Sequence, residues 1–318
     1  MGGFGGRPRG ESSFGAGFGE VFSCVNADGT ATVASAVKKQ ILIGLFALLS
    51  VSLAAAPYRV EPDIEYSHPG AVSLKLDAHV PEGKGPFPAV ILVHGGGWTA
   101  GHKTVNFVEA LFPVLDQTGM AWFTIDYRLA PAHPYPAALD DVEAAVAFVK
   151  KNAKSYKLDP KRIVLMGESA GGHLVNLAGA RNRAGVAAVV CFYGPIDMLV
   201  FTKKLEEEAP KGGIKDFFAI QAWDEAAKKK LAEASPHTYI NKKTPPFLII
   251  HGTKDVSVPY EQAQLHEKMF RERGIPVELY TVEDGIHGVM NWEKDARFHG
   301  YKEHMIGWLR KQLAQFPD

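Results

Sequence analysis

The sequence predicts an α/β fold: a mainly parallel sheet with helices on both faces and a small helical cap inserted late in the chain. Three observations carry this. Short runs such as PAVILVH (88–94), RIVLMG (162–167) and PFLIIHG (246–252) are apolar but for one residue each, as strands buried on both faces are. Segments with helical spacing separate them, so strand and helix alternate in the order that builds parallel sheets. The chain has 318 residues, 46% hydrophobic and 22% charged, enough for one large domain with a full core.

The elements follow in order. Residues 1–37 open with MGGFGGRPRGESSFGAGFGE, glycine-rich and without periodicity, and read as a disordered or spurious leader, with translation beginning near Val37. Residues 38–54 read as a signal peptide: Lys38 and Lys39 precede an apolar stretch from Ile41 to Leu53, and Ser52-Leu53-Ala54 offers a cleavage site. That order of parts implies a secreted or periplasmic protein, and the stretch is too short for a stable membrane anchor. Residues 55–318 form the folded domain. YRVEPDIEY (58–66) and VSLKLDAHV (72–80) alternate apolar and polar positions, as half-exposed antiparallel strands do. Buried strands follow at 88–94 and 121–126, then a helix over 138–153, a strand over 162–167 and a helix from Ser169 to Arg181. Strands at 186–194, 246–252 and 276–282 complete the sheet, with helices over 260–274 and 301–316. Residues 198–235 carry short helical patches and no strand, which predicts a cap over the sheet edge rather than a simple crossover.

Composition narrows the function. Lys+Arg and Asp+Glu both number 35, so no charge excess points to nucleic acid. Cys24 and Cys191 are the only cysteines, too few for a disulfide framework or a cysteine metal site. The histidines are scattered without a metal-ligand spacing, and no dinucleotide or phosphate-binding fingerprint is present. No cofactor is therefore expected.

The chemistry concentrates in Gly167-Glu168-Ser169-Ala170-Gly171. It ends a buried strand and opens a helix, the setting of a nucleophile elbow, in which a sharp turn exposes the serine hydroxyl. Glycines on either side let strand and helix pass closely. The Ala170 N–H, at the helix start, faces a developing oxyanion. VHGGGW (93–98) also ends a buried strand, and Gly96 and Gly97 are expected as further oxyanion donors. A serine nucleophile needs a base and an orienting acid. His287, in EDGIHGVM, and Asp255, in IIHGTKDVSVP, each lie just past a strand. Ser169, Asp255, His287 is the serine–acid–histidine chain order of hydrolases built on such a sheet. Asp284 competes as the acid but reads as a surface charge. His94, His173 and His251 are expected to be structural, and Cys191 a core filler.

PFPAVILVHGGGWTAGHK, DYRLAPAHPYPAALDD, GESAGGHL and PPFLIIHGTKDVSVPYEQAQ together resemble the esterase branch of the α/β-hydrolases around the hormone-sensitive lipase family. The bacterial feruloyl/acetyl xylan esterase-like group is the nearest in pattern. The resemblance runs from about Tyr58 to the C-terminus. It implies an α/β-hydrolase fold, the triad Ser169, Asp255 and His287, and an oxyanion hole of Gly96, Gly97 and Ala170. It implies a small ester or acylated carbohydrate as substrate. Three departures stand out: Ala132 replaces a glutamate of the RLAPEHP pattern, Glu168 replaces the commoner residues before the nucleophile, and the acid segment differs from that of the hormone-sensitive lipases proper. Two other functions fit the same elements less well. An amide hydrolase, a formamidase or a prolyl-oligopeptidase-type peptidase, would normally be cytosolic in the first case and carry a large extra domain in the second. A non-catalytic binding protein on this fold predicts a broken triad, whereas this one is intact in sequence.

Overall fold

The computed structural model describes residues 57–208 and 213–316. The leader and signal-peptide readings, residues 1–37 and 38–54, fall outside the described residues.

Strands β1 (Tyr58–Ser67), β2 (Leu74–Pro81) and β3 (Phe87–Val93) lead into short helices α1 (Asn106–Glu109) and α2 (Phe112–Asp116). Then come β4 (Ala121–Ile125), α3 (Ala137–Lys151), β5 (Leu158–Glu168), α4 (Ala170–Arg181) and β6 (Ala188–Phe192). Helices α5 (Met198–Glu208), α6 (Gly213–Phe218) and α7 (Glu225–Glu233) separate β6 from β7 (Phe247–Gly252). The chain closes with α8 (Glu261–Glu272), β8 (Val277–Val282), α9 (Val289–Trp292) and α10 (Gly300–Leu313).

The eight strands form one sheet in the order β1-β2-β4-β3-β5-β6-β7-β8. β2 pairs antiparallel with β1 and β4, and every other pair is parallel. The α/β class and the antiparallel start are thus as the sequence predicts, and the arrangement is that of an α/β-hydrolase. The period-two geometry of a strand divides the core. On β3, Ile91 and Val93 face α3, α4 and Phe270 of α8, within one layer. Val90 and Leu92 face the other way, against Val108, Val114, Trp308 and Leu309. Runs that are apolar at every position reflect burial on both sides.

Among the described residues, the segment 198–235 carries three helices and no strand. It is not a detached lid. Met198, Ile214, Phe217, Phe218 and Leu231 are buried in the same layer as α3 and α4. Phe217 stacks on Trp98 at 4.8 Å between ring centroids, and its carbonyl accepts from the Tyr135 N–H at 2.6 Å.

Register fixes where chemistry can occur. Val93 pairs with Gly167, Glu168 with Phe192, and Gly252 with Val282. The carboxyl ends of β3, β5, β7 and β8 therefore gather at one rim, the ligand-binding edge of open parallel sheets.

Candidate active site

Ser169 has φ 54° and ψ −117°, a left-handed backbone that a residue with a side chain holds only when its surroundings impose it. Its N–H donates to the Phe192 carbonyl at 3.0 Å, and its own carbonyl accepts from the His173 N–H at 2.9 Å. The following turn lies so close to β3 that a Cβ on Gly171 would sit 2.2 Å from the Val93 carbonyl oxygen. Neighbours on both sides thus impose the turn, and Ser169 Oγ stands clear of the helix that begins at Ala170.

Ser169 Oγ lies 3.0 Å from His287 Nε2, and His287 Nδ1 lies 2.6 Å from Asp255 Oδ2. A carboxylate only accepts, so Nδ1 carries the ring proton and Nε2 is left to accept from the serine hydroxyl. The Asp255 side chain is fully buried, and that of His287 is a quarter exposed. Burial alone would raise the Asp255 carboxyl. Hydrogen bonds from His251 and His287, with the Val258 N–H, outweigh it and hold the group well below the usual carboxylate range. Ser257 and Val258 each donate a backbone N–H to Oδ1 at 2.9 Å.

The loops bearing acid and imidazole are knitted together. The Lys254 N–H donates to the Gly285 carbonyl at 2.9 Å, and Lys254 Nζ pairs with Asp284 at 2.7 Å. Asp284 is thus a surface charge, as its position predicts. Asn291 Nδ2 donates to the His287 carbonyl at 2.8 Å, and Trp292 Nε1 to that of Ile286 at 2.7 Å.

Gly96 and Gly97 adopt φ +107° and +60°, conformations open to glycine at little cost. Gly97 and Ala170 line a cavity of about 420 Å³ beside Ser169, walled by Trp98, Phe201 and Ile214. Gly96 and Gly97 line a second cavity of about 280 Å³, with Ser169, His287, Phe107 and Met290. As the first residue of α4, Ala170 precedes the first intrahelical donor, His173, so its N–H has no place in the helix ladder. The cap residues Phe201 and Ile214 wall the larger cavity, whose volume is in the range of small-molecule sites and exceeds what an acetyl group needs.

His94 and His173 hold local hydrogen bonds, as expected. His94 Nδ1 lies 2.7 Å from the Gly95 carbonyl, and His173 Nε2 lies 2.7 Å from that of Ala234. Burial lowers both rings to about 4, so they stay neutral. Cys191 is buried in β6, and burial pushes its thiol up to about 12. Among the described residues no group of three or more His, Cys, Asp or Glu is placed to hold a metal ion, and no helix is long and apolar enough to cross a membrane.

Three residues carry contacts that sequence reasoning missed. His251 Nε2 donates to the Val258 carbonyl at 2.8 Å and lies 3.4 Å from Asp255 Oδ2, behind the triad. Its spacing of four from Asp255 was the available signal. The Tyr193 ring packs on His287 at 4.7 Å. Glu168 accepts from the Gly95 N–H at 2.5 Å. Neither of these last two leaves a pattern in sequence.

The model of the BD-FAE family matches residues 76–269, more than half of the chain, from within β2 to within α8. The chain belongs to the BD-FAE family. Among curated relatives of this BD-FAE chain, the esterase LipC of Mycobacterium tuberculosis is 32% identical over 192 residues, 56% of this chain and 47% of LipC. The probable carboxylic ester hydrolase LipM of the same organism is 33% identical over 193 residues, 57% of this chain and 44% of LipM. The chain spans about half the length of the curated relatives it matches. A solved structure, a truncated carbohydrate esterase from gut microbiota, superposes with a TM-score of 0.72 at 25% identity, over 82% of this chain and 99% of that one. An acetyl ester-xyloside bifunctional hydrolase from Caldicellulosiruptor lactoaceticus shares the fold, with a TM-score of 0.68 at 23% identity over 82% and 98% of the two chains.

Proposed function

We propose that this BD-FAE chain is a serine carboxylesterase that cleaves short acyl esters, acetyl or feruloyl groups on a carbohydrate such as xylan, through an acyl-enzyme. One observation carries the reading. The Ser169 hydroxyl lies 3.0 Å from an imidazole whose other nitrogen lies 2.6 Å from a buried carboxylate.

The steps follow from that chain. Ser169 Oγ attacks the ester carbonyl as His287 Nε2 takes the hydroxyl proton, and Asp255 stabilises the imidazolium. The carbonyl oxygen becomes an oxyanion, received by N–H groups from Gly96, Gly97 and Ala170. The C–O bond to the alcohol breaks, and His287 returns its proton to the leaving alkoxide. Water then repeats the sequence, attacking the acyl-enzyme and releasing the acid and free Ser169. Two cavities that meet at Ser169 and Gly97 support a substrate with groups on each side of the reacting carbon. The carbohydrate esterase similar to this chain supports a sugar as the alcohol. The 420 Å³ cavity suits an acyl group between acetyl and feruloyl in size.

The test is a panel of p-nitrophenyl acetate, butyrate and dodecanoate, methyl ferulate, acetylated xylo-oligosaccharides, formamide and a peptide amide. Acetate or ferulate release, with dodecanoate the poorest ester, is the expected result. Turnover of formamide or peptide without ester turnover overturns the reading. Preference for dodecanoate over acetate, or no release from any acetylated sugar, removes the proposed substrate class.

A secreted or periplasmic location is proposed as well, supported by the order of parts in residues 38–54. Sequencing the N-terminus of the natural protein tests it. A start past Ala54 is expected, and residues 1–30 on the natural secreted protein would refute it.

A further inference from the structure

Glu168 is 3% exposed, and the triad chemistry does not use it. An ionised carboxylate is costly to bury, and an apolar residue in its place is often no less stable. Its contacts explain what the burial achieves. Oε1 accepts from the N–H of Gly95 at 2.5 Å, the first glycine of the loop that carries Gly96 and Gly97. A Cβ on Gly95 would lie 2.2 Å from that oxygen, so the carboxylate fills the space the glycine leaves. Phe192, the neighbour of Tyr193, pairs with Glu168 between β5 and β6, and the Tyr193 hydroxyl favours the charged form of the same carboxyl. The Tyr193 oxygen in turn accepts from the Val289 N–H at 2.8 Å, two residues past His287, and its ring rests on the imidazole. One side chain, adjoining the nucleophile, thus touches the loop of the oxyanion donors directly and the loop of the imidazole through Tyr193.

We propose that Glu168 is a positioning residue that holds the Gly95–Gly97 loop and the His287 loop in mutual register, so that oxyanion donors and imidazole address the same tetrahedral intermediate. This rests on the serine-esterase reading. Binding energy aimed at the intermediate raises kcat, whereas ground-state contacts move KM. A Gln at this position keeps one acceptor for Gly95 but turns an NH2 toward Tyr193. The Tyr193 O–H, its oxygen already engaged by Val289, then faces a donor in place of a carboxylate oxygen.

The experiment uses Glu168→Gln, Tyr193→Phe and the double variant in the full chain. It measures kcat and KM with p-nitrophenyl acetate, inhibition by a boronic acid that forms a tetrahedral adduct on Ser169, and the urea midpoint. Each single variant is expected to lose about 10–100-fold in kcat, less than removal of a whole oxyanion donor, with KM nearly unchanged and boronate affinity falling in parallel. The double variant should lose no more than the worse single one, because the two residues act as one link. Folded variants with unchanged kcat, losses that multiply, or an effect confined to KM would each overturn the proposal. If Glu168→Gln does not fold, Tyr193→Phe with Glu168→Asp carries the same comparison. Phosphonate labelling of Ser169 in the unsubstituted protein separates this from the underlying reading. Absence of labelling sinks the serine mechanism, whereas labelling with unchanged variants sinks only the role of Glu168.

Discussion

Asp255→Asn probes the site most sharply, because the surroundings dictate how the new amide must sit. Asp255 Oδ1 receives two backbone N–H groups, from Ser257 and Val258, each at 2.9 Å. An amide NH2 cannot face two donors, so the Asn oxygen takes that side. The NH2 then points to where Oδ2 stood, 2.6 Å from His287 Nδ1 and 3.4 Å from His251 Nε2. It can only donate to His287 Nδ1, which moves the ring proton to Nε2. That tautomer cannot accept from the Ser169 hydroxyl, 3.0 Å away. The same NH2 also opposes the His251 N–H that donates to the Val258 carbonyl. The expected loss in kcat is about ten-thousandfold, or ~5 kcal/mol of transition-state stabilisation, with KM for p-nitrophenyl acetate changed little. Stopped-flow and steady-state kinetics on the purified variant measure it, with circular dichroism to verify folding. A folded variant that keeps a tenth of the wild-type kcat would refute the tautomer argument and the assignment of Asp255 as the orienting acid.

Ser169→Ala should fold and lose on the order of a millionfold in kcat, with no labelling by a serine-directed phosphonate. A variant keeping a tenth of the activity would dismiss the covalent mechanism. Asp284→Asn removes only the exposed pair with Lys254, so kcat should stay within about threefold; a loss larger than that of Asp255→Asn would exchange the two roles. Burial pushes the Glu168 carboxyl from 4.5 up to about 7, against the hydrogen bond from Gly95 and the nearby His287 and Tyr193. A carboxyl whose folded pKa is raised gives stability that is fully present below its unfolded pKa and lost as pH rises through the folded one. Between these limits the native state binds the extra proton. The stability of wild type relative to Glu168→Gln should therefore fall by up to about 3 kcal/mol from pH 4.5 to above pH 7. Urea titrations of both proteins across that range measure the difference, and a flat difference would contradict the burial argument.

Sequence and structure agree where one element's own pattern carries the information. Ser169, Asp255 and His287 are legible because each follows an apolar strand, and parallel strands bring their carboxyl ends together whatever the side chains do. The cap is legible as an interval without a strand. Its union with the main core is not, since that rests on Phe217 meeting Trp98 across more than a hundred residues of chain. Helices α1, α2 and α9, of four or five residues each, are too short to show a period. β5 begins at Leu158, earlier than the apolar run suggests, because Asp159-Pro160-Lys161-Arg162 reads as a turn while the backbone is already extended. Glu168 stood out in sequence only as a departure from a familiar pattern. Its partners, Gly95 and Tyr193, are fixed by the pairing of β3 with β5 and of β5 with β6, which no local window contains.

That difference has a physical root. The sheet positions the base of each loop through its backbone ladder, and a ladder is nearly indifferent to sequence beyond the need for burial. It cannot position the loop tips, which lie beyond the last pair, Val93 with Gly167 or Gly252 with Val282. At the tips, tenths of an ångström decide whether a hydroxyl, an imidazole and two or three N–H groups can act on one carbon. Only side chains and close backbone contacts reach across there. The buried polar residues beside these strand ends do so: His94, Glu168, His173, His251 and Asp255. Each lies within five residues of a strand end; Glu168, His173 and Asp255 bond to another segment, at the Gly95 N–H, the Ala234 carbonyl and His287, while His94 and His251 brace their own loops. Burying polar groups is unfavourable unless they are bonded, and each of these side chains makes at least one such bond. The strained backbone of Ser169 belongs to the same arrangement. Strain of ~1–3 kcal/mol is sustained because Phe192, His173 and the flush contact of Gly171 on β3 leave the turn no alternative. Loosening any one of these links should leave the fold standing and the geometry at Ser169 diffuse. For that reason the variants above are expected to separate activity from stability.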